Sequence, residues 1–182
     1  MKRFILFLIA VMLISPNLCL GQELSSQSKW YFGTAISGGY TNNSGDFARD
    51  FDNYGSCLWS VDFGYNRILA SLYASKGWNS KNDMFDYGLR AGYSIIDRKT
   101  WGITPFLGFG IMYFSHDTNF NNIPAPSAGT NFDFKFYKNN KSKHNDIWMI
   151  RLQYNCSLPF QDGNVSYVHS IMLGVAVKGV LF

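Results

Sequence analysis

The sequence predicts an all-β chain, an antiparallel up-and-down barrel of eight strands with its apolar face turned outward. Three observations lead there. Large apolar residues alternate with small or polar ones at period two over most of the chain, and no segment shows helical spacing. Two separate hairpins each bring like faces together when their turns are closed. Charged residues make up 15% of the chain against about 25% in a typical soluble domain, while aromatics reach 18%. Part of the surface is therefore expected to face something other than water.

The chain opens with the marks of an export leader. Met1-Lys2-Arg3 is basic, Phe4 to Ile14 is apolar, Ser15-Pro16 breaks the run, and Cys19-Leu20-Gly21 sets small residues at −3 and −1 of a cut before Gln22. The apolar run falls short of the ~18 residues a membrane helix needs. Leu18 stands where a lipoprotein signal wants a small residue before Cys19. Residues 1–21 thus read as a cleaved signal peptide and 22–182 as one barrel domain. Losing Lys2 and Arg3 lowers the net charge from +4 to +2, and no basic stripe points to nucleic acid. The one basic cluster, Lys138 to His144, reads as a solvated turn.

The strands follow in order. Trp30 to Thr41 is the first. A tight turn at Asn66-Arg67 pairs Tyr65 with Ile68, Phe63 with Ala70, Val61 with Leu72 and Trp59 with Ala74, giving the second and third. Phe85 to Ile96 is the fourth, with Phe85, Tyr87, Leu89, Ala91, Tyr93 and Ile95 on one face. Trp101 to Phe114 is the fifth, one face large and apolar, the other glycine-rich. Closing the turn at Asp97-Arg98-Lys99 sets Ile95 against Trp101, Tyr93 against Ile103 and Leu89 against Leu107. Pro105 interrupts this strand and implies a local bulge. Asn131 to Lys138 is a short sixth; as a ribbon within a loop from Ser115 to Asn145 it would leave an odd count of seven. Ile147 to Cys156 and Tyr167 to Phe182 complete the set.

One apolar face suits either a soluble barrel with a greasy interior or a membrane barrel with a greasy exterior. The small, glycine-rich opposite face suits a crowded interior. Trp30 and Tyr40 bracket the first strand and Trp101 and Tyr113 the fifth, like aromatic girdles about 25–30 Å apart. Breaks at Asn42 to Tyr54, Ser115 to Thr130 and Pro159 to Ser166 are long and polar, while those at Asn66-Arg67 and Asp97 to Lys99 are short. On this pattern the chain resembles the small OmpA/OmpX-type bacterial outer-membrane barrels over its mature length. The resemblance implies location in a Gram-negative outer membrane, contact with its lipid and lipopolysaccharide, and assembly by the barrel-assembly machinery through a strand ending in Phe182. Phe182 itself falls out of phase with Ile171, Leu173, Val175, Val177 and Leu181, sharing its parity with Lys178.

Candidate site residues are the inward charges Asp62, Asp86, Asp133, Arg90, Lys135, Arg151 and Lys178. An eight-stranded barrel is just wide enough for side chains to fill, so these are expected to pair as a structural plug. Aligning Phe134 with Ile150 places Asp133 opposite Arg151. Catalysis is not expected: His169 and Ser170 are neighbours on opposite faces, Ser115, His116 and Asp117 likewise alternate sides at a strand end, His144 offers no dyad, and the only glutamate, Glu23, lies near the N-terminus left by the leader. No cofactor or metal is expected either. Asp50 to Gly55 loosely suggests a calcium loop, but Tyr54 occupies a ligand position. Cys57 and Cys156 fall on strands that are not sequence neighbours and are expected to stay unpaired. The sequence thus points to a structural or surface-binding barrel acting through its loops on a surface protein or glycan. A narrow porin-like channel and a lipid-modifying enzyme are the competing readings.

Overall fold

The structure is a computed structural model that describes residues 30–45, 53–79, 82–116, 119–139, 146–161 and 164–180. The leader, Glu23, Asp50 and Asp52, His144 and the terminal Leu181 and Phe182 lie outside the described residues, as do the side chains of His116 and Lys138. Among the described residues eight long strands run antiparallel: β1 (Trp30–Gly45), β2 (Tyr54–Tyr65), β3 (Ile68–Trp78), β4 (Asp83–Tyr93), β5 (Trp101–His116), β6 (Asn119–Asn139), β7 (Asp146–Ser157) and β8 (Asn164–Val180). Each pairs with the next, and β1 pairs with β8 from Tyr31↔Val180 to Gly45↔Ser166, closing the barrel.

Following paired residues once round shows how steeply the strands tilt. The path runs from Gly33 through Asp62, Ser71, Arg90, Gly108, Ser127, Ser157 and Val168 and returns to β1 at Asn43. The return point lies ten residues further along, a shear of ten for eight strands. Such a stagger fixes the strand tilt and a narrow interior. Narrowness needs glycine. A Cβ on Gly174 would sit 2.1 Å from the Ile36 carbonyl oxygen, and one on Gly88 2.2 Å from that of Phe109.

The β2–β3 turn has the register its sequence predicts, Tyr65↔Ile68 through Trp59↔Ala74. Asn66 takes φ 54°, the left-handed conformation that a two-residue hairpin demands. The β4–β5 connection differs from expectation by two residues. Leu89 pairs with Phe109 and Ala91 with Leu107, not Leu89 with Leu107. β4 ends at Tyr93, the ladder stops at Gly92↔Phe106, and a short bridge, Ile96↔Ile103 and Asp97↔Gly102, resumes beyond Pro105. A Cβ on Gly92 would lie 2.9 Å from the Pro105 oxygen, so that carbonyl faces β4. The proline nitrogen therefore faces the same side, and it is β4 that breaks where no amide hydrogen is offered.

The largest correction concerns β6. It is a strand of 21 residues rather than a short segment, so Asn119 to Thr130 is strand and not loop. β5 and β6 pair in register from Trp101↔Phe134 to His116↔Asn119. Pro124 and Pro126 lie within this strand. Yet Leu158 N–H donates to the Pro126 oxygen, so that carbonyl points away from β5. The neighbouring β7 ladder begins only at Ser127↔Ser157, so these prolines remove no strand pairing. The other loops are shorter than expected too: β1 runs on to Gly45, and Phe160–Gln161 folds back on the start of β8.

Candidate functional site: the filled lumen

Strand alternation sends one side chain in two into the barrel, and the outward half is apolar. Ile36, Leu89, Leu173 and Ile171 are each about three-fifths or more exposed. Trp30 and Tyr40 are likewise exposed on the outer face, with Trp101 and Tyr113 half-buried there. Trp30 contacts Tyr65 at 4.8 Å between ring centroids, and Tyr113 stacks on Tyr87 with their hydroxyls 2.7 Å apart. Trp59, further from either end, satisfies its indole by donating to Thr34 Oγ1 at 3.1 Å. Cys57 and Cys156 are both free, on β2 and β7.

All seven sequence-selected charges face inward, but they form three groups rather than one. The first is a clamp. Arg151 donates from Nε to Asp133 Oδ1 at 2.7 Å and from Nη2 to Asp133 Oδ2 at 3.1 Å, and Nη1 reaches Asp62 Oδ2 at 2.7 Å. Ser71 Oγ donates to the other Asp62 oxygen at 2.7 Å. Asp133 and Arg151 are directly opposed on β6 and β7, the register expected from aligned apolar sets. Arg151 and Asp62 are buried, so the pair is shielded from water, and the two carboxylates share one guanidinium.

The second group works through rings. The Arg90 guanidinium lies 3.6 Å from the Tyr73 centroid and 4.8 Å from that of Phe106, and Tyr73 donates to Asp86 Oδ1 at 3.0 Å. Tyr73 thus joins Arg90 to Asp86, which are not ion-paired. Sequence reasoning missed this role, since a tyrosine among inward residues looks like filler.

The third group closes the end at which β1 begins and β8 ends. Lys135 Nζ binds Asp97 and donates to the Arg98 oxygen at 2.6 Å, while Lys178 Nζ lies 3.6 Å from the Tyr31 centroid. Asp97 belongs to the β4–β5 turn, and the sequence reading named it as a turn residue with no partner assigned. Burial opposes its ionisation, but Lys178 and then Lys135 outweigh burial and hold the carboxyl below its usual range. Between this group and the clamp is a cavity of about 30 Å³, room for about one water.

The opposite end is apolar. Tyr54, Met84, Met112, Phe114, Ile123, Ala125 and Val168 form one buried cluster inside the barrel, near the connections that follow β1, β3, β5 and β7. Below it Ser56 donates to Thr41, whose hydroxyl is 3.0 Å from that of Ser170. Ser37 Oγ, Asn131 Oδ1, Gln153 Nε2 and Asn155 Oδ1 lack protein partners, so the polar middle has unmet capacity for water. A greasy layer stacked on a polar column is a poor route for ions. On the outer face His169 accepts or donates at Nδ1 to the Tyr154 hydroxyl, 2.9 Å away, and stacks on Tyr167. Among the described residues no group of three metal-ligating side chains comes together.

No protein-family model matches the sequence, and no curated protein matches it. Solved structures do. Neisserial surface protein A aligns over 86% of this chain and all of its own, with TM-score 0.54 and 12% identity. The N-terminal β-barrel domain of Pseudomonas aeruginosa OprF aligns over 85% of this chain and 99% of its own, with TM-score 0.52 and 11% identity. At such identities the likeness is one of fold: the chain has the architecture of small eight-stranded outer-membrane barrels.

Proposed function

We propose that this chain is an exported outer-membrane barrel that does not conduct, and that serves as a membrane scaffold for surface contact. The observation that carries this reading is the closed lumen, filled by the Arg151 clamp at one level and by the Tyr54–Met84–Phe114 layer at another. With the lumen filled by described side chains at these two levels, the working surface is the loop end opposite the chain termini, where a surface protein, glycan or lipopolysaccharide would be met. The exposed apolar exterior supports insertion in lipid, and a leader cut before Gln22 with assembly through the C-terminal strand supplies the route.

The test is single-channel recording of the purified full-length mature protein in a planar bilayer. A flat trace from protein shown to be folded supports the reading. Reproducible conductance steps would replace it with the channel reading. For the enzymatic reading, lipid extracted from cells with and without the protein should show the same acylation by mass spectrometry.

A further inference from the structure

Among the described residues the two ends of the barrel differ in charge as well as in polarity. At the end carrying Trp30 and Val180, two turns lie side by side. Ser94 N–H donates to the Arg67 oxygen at 2.8 Å, so the Asn66–Arg67 turn and the 94–100 turn are tied together. The tie brings Arg67, Arg98 and Lys99 onto one rim, with Arg98 and Lys99 exposed. Lys135 and Lys178 stand just inside; of the described acids at this end, Asp97 is bound by Lys135 with Lys178 and Arg67 also acting on it, and Asp146 lies beside Gly179 on the β7 side. At the other end the described cation Lys76 is already paired with Asp83 at 3.2 Å and lies over Phe85.

The position of the basic rim relative to the aromatic belt says what it meets. The Arg98 guanidinium lies 5.8 Å from the Trp101 ring centroid. Exposed Trp30 and Tyr93, with Tyr65, are at the same end of the outer face. Tryptophan and tyrosine belts lie at the headgroup boundary, so a cation stacked on that belt is at the depth of lipid phosphates. A basic site for a water-soluble acidic partner would instead be expected clear of the belt.

We propose that this rim is an anionic-phospholipid contact, in which Arg67, Arg98 and Lys99 take headgroup phosphates of the leaflet at the chain-terminal end. The proposal rests on the membrane-barrel reading above. It adds a lipid class, a leaflet and three residues.

The experiment reconstitutes the full mature chain in vesicles of brominated phosphatidylglycerol or brominated phosphatidylcholine mixed with the unbrominated other lipid. Tryptophan quenching then gives the relative association of each lipid. Folding and insertion are checked first by heat-modifiable gel migration in both lipids. Failure to insert in either would sink the membrane reading itself, whereas failure of the proposal shows only in an inserted barrel. The wild type should favour phosphatidylglycerol about threefold in low salt. The preference should vanish at about 0.5 M salt, where screening is strong. It should vanish in low salt for the Arg67→Gln, Arg98→Gln, Lys99→Gln triple variant and persist in Lys76→Gln. No preference in the wild type, or one unchanged in the triple variant, overturns the proposal.

Discussion

Arg151 grips both oxygens of Asp133 across one rung of the β6–β7 ladder, and its remaining nitrogen reaches Asp62 on β2. One guanidinium thereby joins strands that are neighbours to a strand that is not. The interior is held across its diameter as well as around its wall.

Removing that cation leaves two carboxylates inside the barrel without their counter-charge. Arg151→Leu should lower stability by about 3–5 kcal/mol, read from urea unfolding in lipid vesicles by tryptophan fluorescence. Adding Asp62→Asn and Asp133→Asn to Arg151→Leu should recover much of the loss. A single variant as stable as the wild type would show that the clamp contributes nothing.

The glycine kinks give a second test with an internal control. Gly174→Ala puts a Cβ about where the Ile36 oxygen lies, and should cost about 1–3 kcal/mol or block closure of β1 on β8. Gly38→Ala, whose nearest neighbour is the Ser56 oxygen at 3.9 Å, should leave stability nearly unchanged. Equal effects of the two would refute the close-approach argument.

Acid should loosen the terminal end in a defined direction. Asp97 is held below its usual range when folded, so its contribution is fully present above the ordinary carboxylate pKa, about 3.9. That contribution disappears as pH falls through the lower folded value. Asp97→Asn should therefore destabilise the barrel at pH 7, and the difference should shrink as pH falls below the ordinary carboxylate range. A variant whose loss is the same at every pH would remove Asp97 from the acid response.

The outer apolar layer is expected to be the seal. Met84→Ser with Phe114→Ser should turn a silent barrel into one that passes small ions, because the column beneath is already polar. Persistent silence of the folded double variant would mean that the lower groups close the lumen by themselves.

How much was legible from the sequence depended on slack in the connections. Between Tyr65 and Ile68 only Asn66 and Arg67 intervene, so alternation fixed the pairing residue by residue. Between Tyr93 and Trp101 there was room for a second solution. The apolar sets stay together under a two-residue slip, since side-chain period is two, and only the missing amide of Pro105 decides between them. β6 was read as mostly loop because its first half is polar and lacks large alternating apolar residues, and Pro124 and Pro126 are tolerated there for a reason composition does not carry. It does not report that the adjoining strand has already ended. In the lumen, Asp133 and Arg151 share a rung and could be matched from alternation alone. Their link to Asp62 depends on closure into a tube, the role of Tyr73 on ring and hydroxyl contacts with the adjacent β4, and that of Asp97 on how the β4–β5 turn folds over the end.

The rim of β6 has one more consequence. Above Ser127 its outer edge stands clear of β7, and an open strand edge invites another chain to zip onto it. Pro124 and Pro126 occupy alternate positions along that edge, where their nitrogens carry no hydrogen to offer, and Leu158 already takes one of the carbonyls. The hairpin can therefore stand proud of its neighbours in a crowded surface without becoming the first rung of a polymer.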